Sequence, residues 1–156
     1  MSTFRTRHWL LATVLAIFIA SSAEAQSSDT LVVLSPHHMS GWMSGRTIPG
    51  VEGLALYGTT SAPGPYVVRT RFQDGAGIGP HYHDRTITIT VISGVFHLGF
   101  GDIEDRALGR GYSPGSFIVI PPRMRHFEWG QGETIIQVGG LGPLVTTLLP
   151  ADTTHR

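Results

Sequence analysis

Polar and apolar residues alternate with a period of two through much of the chain. Tyr66, Val68, Thr70 and Phe72 interleave with Val67, Arg69 and Arg71, and Ile87, Ile89 and Val91 interleave with Thr86, Thr88 and Thr90. Successive side chains of a strand point to opposite faces, so this alternation predicts strands with one buried face. Shorter strands are predicted over 53–57, 95–100, 117–120, 126–129, 134–138 and 144–149, each bounded by Gly or Pro. The 20 glycines and 10 prolines punctuate the chain, with a turn cluster at 61–65. No window has a convincing helical period. Many short strands at near-even spacing predict an all-β sandwich or barrel, whose closure also protects the β-branched edges.

The beginning of the chain breaks this pattern. Arg5 and Arg7 precede an apolar stretch over 10–20, and Ala23-Glu24-Ala25 forms a small-x-small site before Gln26. That arrangement predicts a signal peptide over 1–25, cut after Ala25, and a periplasmic or secreted protein; the alternative is an uncleaved anchor. The remaining chain of about 130 residues is long enough to bury roughly two-thirds of its unfolded surface in one core. It divides into an N-terminal arm over 26–52, a β-domain over 53–150 and a C-terminal tail over 151–156. The arm holds a short apolar segment at 31–34, then a Gly-, Ser- and Met-rich stretch carrying His37, His38 and Trp42.

Charge narrows the possible partners. The formal net charge is zero and 14% of residues are charged, with no basic stripe or polybasic run, so neither nucleic acid nor a lipid surface is an expected partner once the leader is removed. The chain has no cysteine. No disulfide can staple it, and a metal site would have to use imidazole, carboxylate and water.

His81 and His83 are the first candidates for such a site. Two residues apart on a strand, they point to the same side, and their imidazoles can converge on one divalent ion. Downstream, Gly115 begins a strand that ends at Pro121-Pro122, and a second strand starts with His126. Together these residues resemble the cupin superfamily. Gly75, His81, His83 and Gly94 fall on its first motif, and Gly115, Pro121 and His126 fall on its second. Stretches 56–58, 64–69 and Gly142-Pro143 are also similar to small exported single-domain cupins, so the likeness covers about residues 42–150. The resemblance implies a double-stranded β-helix, the cupin jelly-roll barrel, with a metal held inside by His81, His83 and His126.

Three positions depart from the motifs. The first motif's Glu falls on Ile87, or on Thr88 with one residue more between; the second motif's Gly falls on Arg123 and its Asn on Gly130. Isoleucine cannot ligate, so the protein ligands reduce to three imidazoles plus open water positions. Such a set suits Fe, Mn, Zn, Ni or Cu. It leaves the ion its full positive charge, which favours an anionic substrate or hydroxide on the metal. Three-histidine sites also occur among cupin-like thiol and diketone dioxygenases. Glu128, two residues beyond His126, has two readings: a solvated acid near the barrel mouth, or an interior carboxyl acting as a distant fourth ligand or general base. Asp84 is expected to serve a turn or an arginine, and Thr86 and Thr88 to lie on the outer face. His97 can line the barrel or face outward. Tyr66, Phe72, Phe96, Phe117, Phe127 and Trp129 are expected mostly in the core, and Trp42 at the barrel mouth or an interface.

The expected function is that of a small exported metalloenzyme of dioxygenase type, acting on a small organic molecule, with Glu128 handling protons. The alternatives are a non-catalytic small-ligand-binding module and a metal-assisted isomerase or epimerase. A homodimer sharing the arm and the strand at 144–149 is a further possibility.

Overall fold

In the computed structural model, residues 31–44 and 48–150 are described. The signal peptide expected over 1–25, the first residues of the arm and the tail at 151–156 lie outside them. Nine strands follow in order: β1 (Met43–Ser44), β2 (Val51–Tyr57), β3 (Gly64–Phe72), β4 (Gly77–His83), β5 (Ile87–Phe100), β6 (Arg110–Tyr112), β7 (Phe117–Ile120), β8 (His126–Gly142) and β9 (Thr146–Leu148). Two short 3-10 turns, Pro36–His38 and Arg106–Leu108, are the only helical segments among the described residues. No helix there is long and apolar enough to cross a membrane.

All strand pairs are antiparallel, and the two longest strands build the architecture. The first part of β5 pairs with β7 and with the end of β8, and the end of β8 pairs in turn with β3, then β2 and β1. The second part of β5 pairs with β6 and with the start of β8, which pairs with β4 and then β9. Two sheets therefore share β5 and β8, each of which crosses from one sheet to the other. This is the expected jelly-roll barrel.

The crossing depends on a tight corner. The register of β5 against β8 shifts between Val91 and Val95, around Gly94, whose φ is 72°. A Cβ on Gly94 would lie 2.3 Å from Thr134 Oγ1 and 2.5 Å from the Glu133 carbonyl oxygen, so only glycine fits. Thr134 is fully buried, its hydroxyl within hydrogen-bond reach of the Val95, Gln131 and Gly132 carbonyls. The corner explains two features of the sequence. Segments 95–100 and 126–129, predicted as separate strands, are the far ends of β5 and β8. Gly130, where the motif has Asn, packs against Phe72 and Thr134 too closely for a side chain.

The core lies between the sheets. Ile87, Ile89 and Val91 point inward from β5 beside Phe72, Phe96, Leu98, Ile120 and Ile136, while Thr88 and Thr90 point away. Each such buried side chain contributes about 1.5–3 kcal/mol by leaving water. Phe117 does not join this core: it lies on the outer face of β7 and is 66% exposed, because Ile118 and Ile120 take the inward positions. Trp42 lies 4.5 Å over the guanidinium of Arg71, which alternates with the inward-facing Thr70 and Phe72. It therefore sits on the outside of the sheet rather than at the barrel mouth. The domain strand begins at Val51, two residues before the predicted start at 53, and Met43–Ser44 of the arm pairs with it.

Candidate metal centre

His81, His83 and His126 meet inside the barrel. β4 and β8 pair with His81 directly opposite His126, and His83 lies two residues further along β4 on the same face. A bulge makes this possible. Between Ile78 and His81 the register of β4 slips against β8, so that Ile78 opposite Glu128 and His81 opposite His126 both face inward despite their odd separation. Pro80 sits in the bulge, where a missing N–H is tolerated.

All three histidines are buried, and their ring centroids are 4.1 to 5.3 Å apart. One ligating atom from each lies within 4.8 Å of the other two. The opposite ring nitrogens are anchored. His81 Nδ1 is 2.8 Å from the Gly79 carbonyl oxygen and His126 Nδ1 is 2.9 Å from that of Met124. Carbonyls only accept, so both rings donate from Nδ1 and keep the Nε2 lone pair free. His83 Nδ1 is 2.9 Å from Thr146 Oγ1, on β9. His126 Nε2 is fully buried with no hydrogen-bond partner. A buried unpaired acceptor is costly, and a cation would satisfy it. Burial pushes the His81 pKa down to about 3 and that of His83 to about 4, each helped by the neighbouring His126, and it lowers His126 as well. At neutral pH all three rings are in the neutral, ligating form. The donor set fits a divalent metal ion.

His81 and His83 border a cavity of about 290 Å³. Ile87 lines it beside His81 and His83, whereas Thr88 faces outward and donates to the Gly139 carbonyl. The interior position where the motif places Glu is therefore an isoleucine. Glu128 lines the same cavity and is 7% exposed, so it is not a solvated acid at the mouth. Its carboxyl has no hydrogen-bond or ion-pair partner among the described residues, and burial pushes its pKa up to about 8. Its carboxylate oxygens do not join the three imidazoles in that cluster. Phe127 and Trp129, alternating with His126 and Glu128, are covered from the other side: Phe127 by Gly99, and Trp129 by Gly109, His97 and Arg106.

The remaining candidates lie elsewhere. His97 stacks 4.7 Å from Trp129 and bonds Gln131, away from the cavity. Asp84 accepts from the Val145 amide in a turn. His37 is exposed on the first 3-10 turn. Two residues with a role at the site escaped the sequence reading, Thr146 as the partner of His83 and Ile48 as a cavity wall. Thr146 stands 63 residues from His83, and no local pattern links them.

Several solved structures share this chain path. The polyketide cyclase RemF from Streptomyces resistomycificus superposes with a TM-score of 0.62 at 18% identity, covering 79% of this chain and 89% of RemF. KdgF from Halomonas sp. gives 0.51 at 23% identity over 64% of this chain and 86% of its own. Salicylate 1,2-dioxygenase from Pseudoaminobacter salicylatoxidans, solved with gentisate, gives 0.55 at 11% identity. The chain has the cupin fold. It covers 67% of itself against the dioxygenase but only 30% of that longer protein. No protein-family model and no curated protein matches the chain. At these identities the likeness is one of fold, and the cupin barrel by itself does not fix a reaction.

Proposed function

We propose that this cupin is an exported metalloenzyme of dioxygenase type, holding one divalent ion on His81, His83 and His126 and acting on a small organic molecule. The observation that carries the reading is the arrangement of the imidazoles. Their ligating atoms converge within 4.8 Å beside a cavity of ligand size, while fixed partners hold their Nδ1 atoms turned away. A divalent ion held by His81, His83 and His126 would supply Lewis-acid chemistry toward a substrate oxygen and, if redox-active, the electrons for dioxygen chemistry. The protein's own part is separable. Gly79, Thr146 and Met124 fix ring orientation, as outer partners do at metal sites generally. The aliphatic walls exclude water, and Glu128 is the carboxyl on the cavity placed to exchange a proton or hydrogen bond with the substrate. The dioxygenase solved with gentisate is a fold relative that acts on a small aromatic, which supports the substrate size.

Metal content of protein recovered from its exported compartment, compared with His81→Ala, His83→Ala and His126→Ala, tests the ligand set. About one equivalent in the parent and loss of most of it in each variant is expected. Full loading of all three variants sinks the assignment. A second reading, a non-catalytic module for a small ligand, draws on Ile87 where the motif has an acid. Dioxygen uptake by iron-loaded protein with candidate substrates separates the two.

A further inference from the structure

The walls of the cavity restrict what can reach the histidines. We propose, resting on the metal site above, that the substrate has an apolar body of about one ring's size and an anionic oxygen donor (carboxylate, enolate or phenolate) at one end, and that sugars and sugar acids are excluded.

Eight of the lining residues are aliphatic, among them Val68, Ile78, Ile87, Ile89 and Val138. The polar ones, among the described residues, are the two histidines, Thr70, Glu128 and Thr146. The Thr146 hydroxyl already serves His83, which leaves Thr70 and Glu128 without a side-chain partner. A hexuronate would bring several hydroxyls to a cavity with two available side-chain partners. Each buried hydroxyl left unmet weakens binding by about tenfold or more. A ring without hydroxyls meets the same walls at no such cost and gains from leaving water. The volume of about 290 Å³ admits one ring with a short substituent.

A neighbouring pocket of about 410 Å³ shares Ile48, Ile78 and Leu148 with this cavity. Its acids, Asp102 and Glu104, are paired with Arg125 and Arg106. That pocket thus adds no unpaired cation to hold an anion beside the cavity. The ion on the histidines is the attraction for the donor end, and the aliphatic walls are the attraction for the body.

The test uses cobalt(II)-loaded protein, whose visible absorption reports anion binding at the ion without turnover. Benzoate, galacturonate and acetate carry the same carboxylate on different bodies. Benzoate should bind at least about 30-fold tighter than acetate, with galacturonate no tighter than acetate. Galacturonate equal to benzoate overturns the proposal. Ile87→Thr and Val138→Thr keep the β-branched shape while adding a hydroxyl to the wall. Each should cut the benzoate-to-acetate ratio by about fivefold and leave acetate alone. An unchanged ratio in both also overturns it. If the parent protein takes up no cobalt, the metal reading fails separately. Toluene and galactose are then compared on metal-free protein by ligand-observed NMR. Toluene binding without galactose supports the apolar pocket, and galactose binding or no toluene binding overturns it.

Discussion

Replacing Glu128 with glutamine is expected to change how the metal-free protein responds to alkaline pH. In the folded chain burial raises the Glu128 pKa to about 8, against an ordinary value of 4.5. Between those values the native state keeps a proton that the unfolded state releases. Stability from this group is therefore fully present below pH 4.5 and is lost as pH rises through 8. The interval from 4.5 to about 8 corresponds to about 5 kcal/mol in full. About 4 kcal/mol of that falls between pH 5 and 9, and more than half of this portion is gone by pH 7. A loss of this size is a large part of a small domain's stability. His81 and His83 act in the opposite direction. Their folded values of about 3 and 4 lie below the ordinary 6.5, so they cost stability as pH falls from 6.5 toward those values. They are common to both proteins and cancel in the comparison. Urea unfolding with chelator present, at pH 5, 7 and 9, measures the difference. The stability of Glu128→Gln relative to the parent should grow by about 4 kcal/mol from pH 5 to pH 9. A difference that stays flat within about 1 kcal/mol would refute the burial of a titrating carboxyl.

Three further outcomes are expected. Ile87→Glu places a carboxylate among the histidines; metal-free protein should lose about 3 kcal/mol, and zinc should raise the melting temperature of the variant more than that of the parent. Arg123 occupies the left-handed region at φ 63°, where the motif has Gly, so Arg123→Gly should raise the urea midpoint by the equivalent of about 0.5–1 kcal/mol. Gly94→Ala must displace Thr134 and the Glu133 carbonyl at the corner, and should cost about 2–3 kcal/mol in the same assay.

The strands were legible because period-two alternation is a local property. Ile87, Ile89 and Val91 point inward, as their spacing predicts. The candidate pair His81 and His83 was legible because i and i+2 on a strand share a face, and His126, added through the resemblance to the cupin motifs, lies opposite His81. Other features depend on partners far along the chain. The burial of Glu128 follows from its pairing with Ile78 and Leu98, on strands formed 50 and 30 residues earlier. The continuity of β5 through Gly94 depends on Thr134 filling the corner. Phe117 looked like core by composition, but exposure follows from its parity against Ile118 and Ile120. The amide of Arg123, which stands where the motif has Gly, donates to the His83 carbonyl at 2.7 Å, a contact no local pattern announces, and ties the turn to the strand that carries His81 and His83.

The isoleucine at position 87 and the three neutral imidazoles belong to one electrostatic arrangement. A carboxylate there would neutralise part of the ion's charge and offer a hydrogen-bond acceptor to a hydroxylated ligand. With Ile87 a bound ion would keep its full charge, and the isoleucine side chain offers only dispersion contacts. The one remaining carboxyl, Glu128, is held by burial toward its neutral form. With a divalent ion bound as proposed, the site would carry a concentrated positive charge at one end of an apolar chamber, with no fixed anion to compete for it. Such a chamber selects by contrast, rewarding a charged oxygen and a dry body in the same molecule and penalising polarity spread over both. On the proposed reading that contrast, more than the identity of the metal, would decide which molecules bind beside His81 and His83.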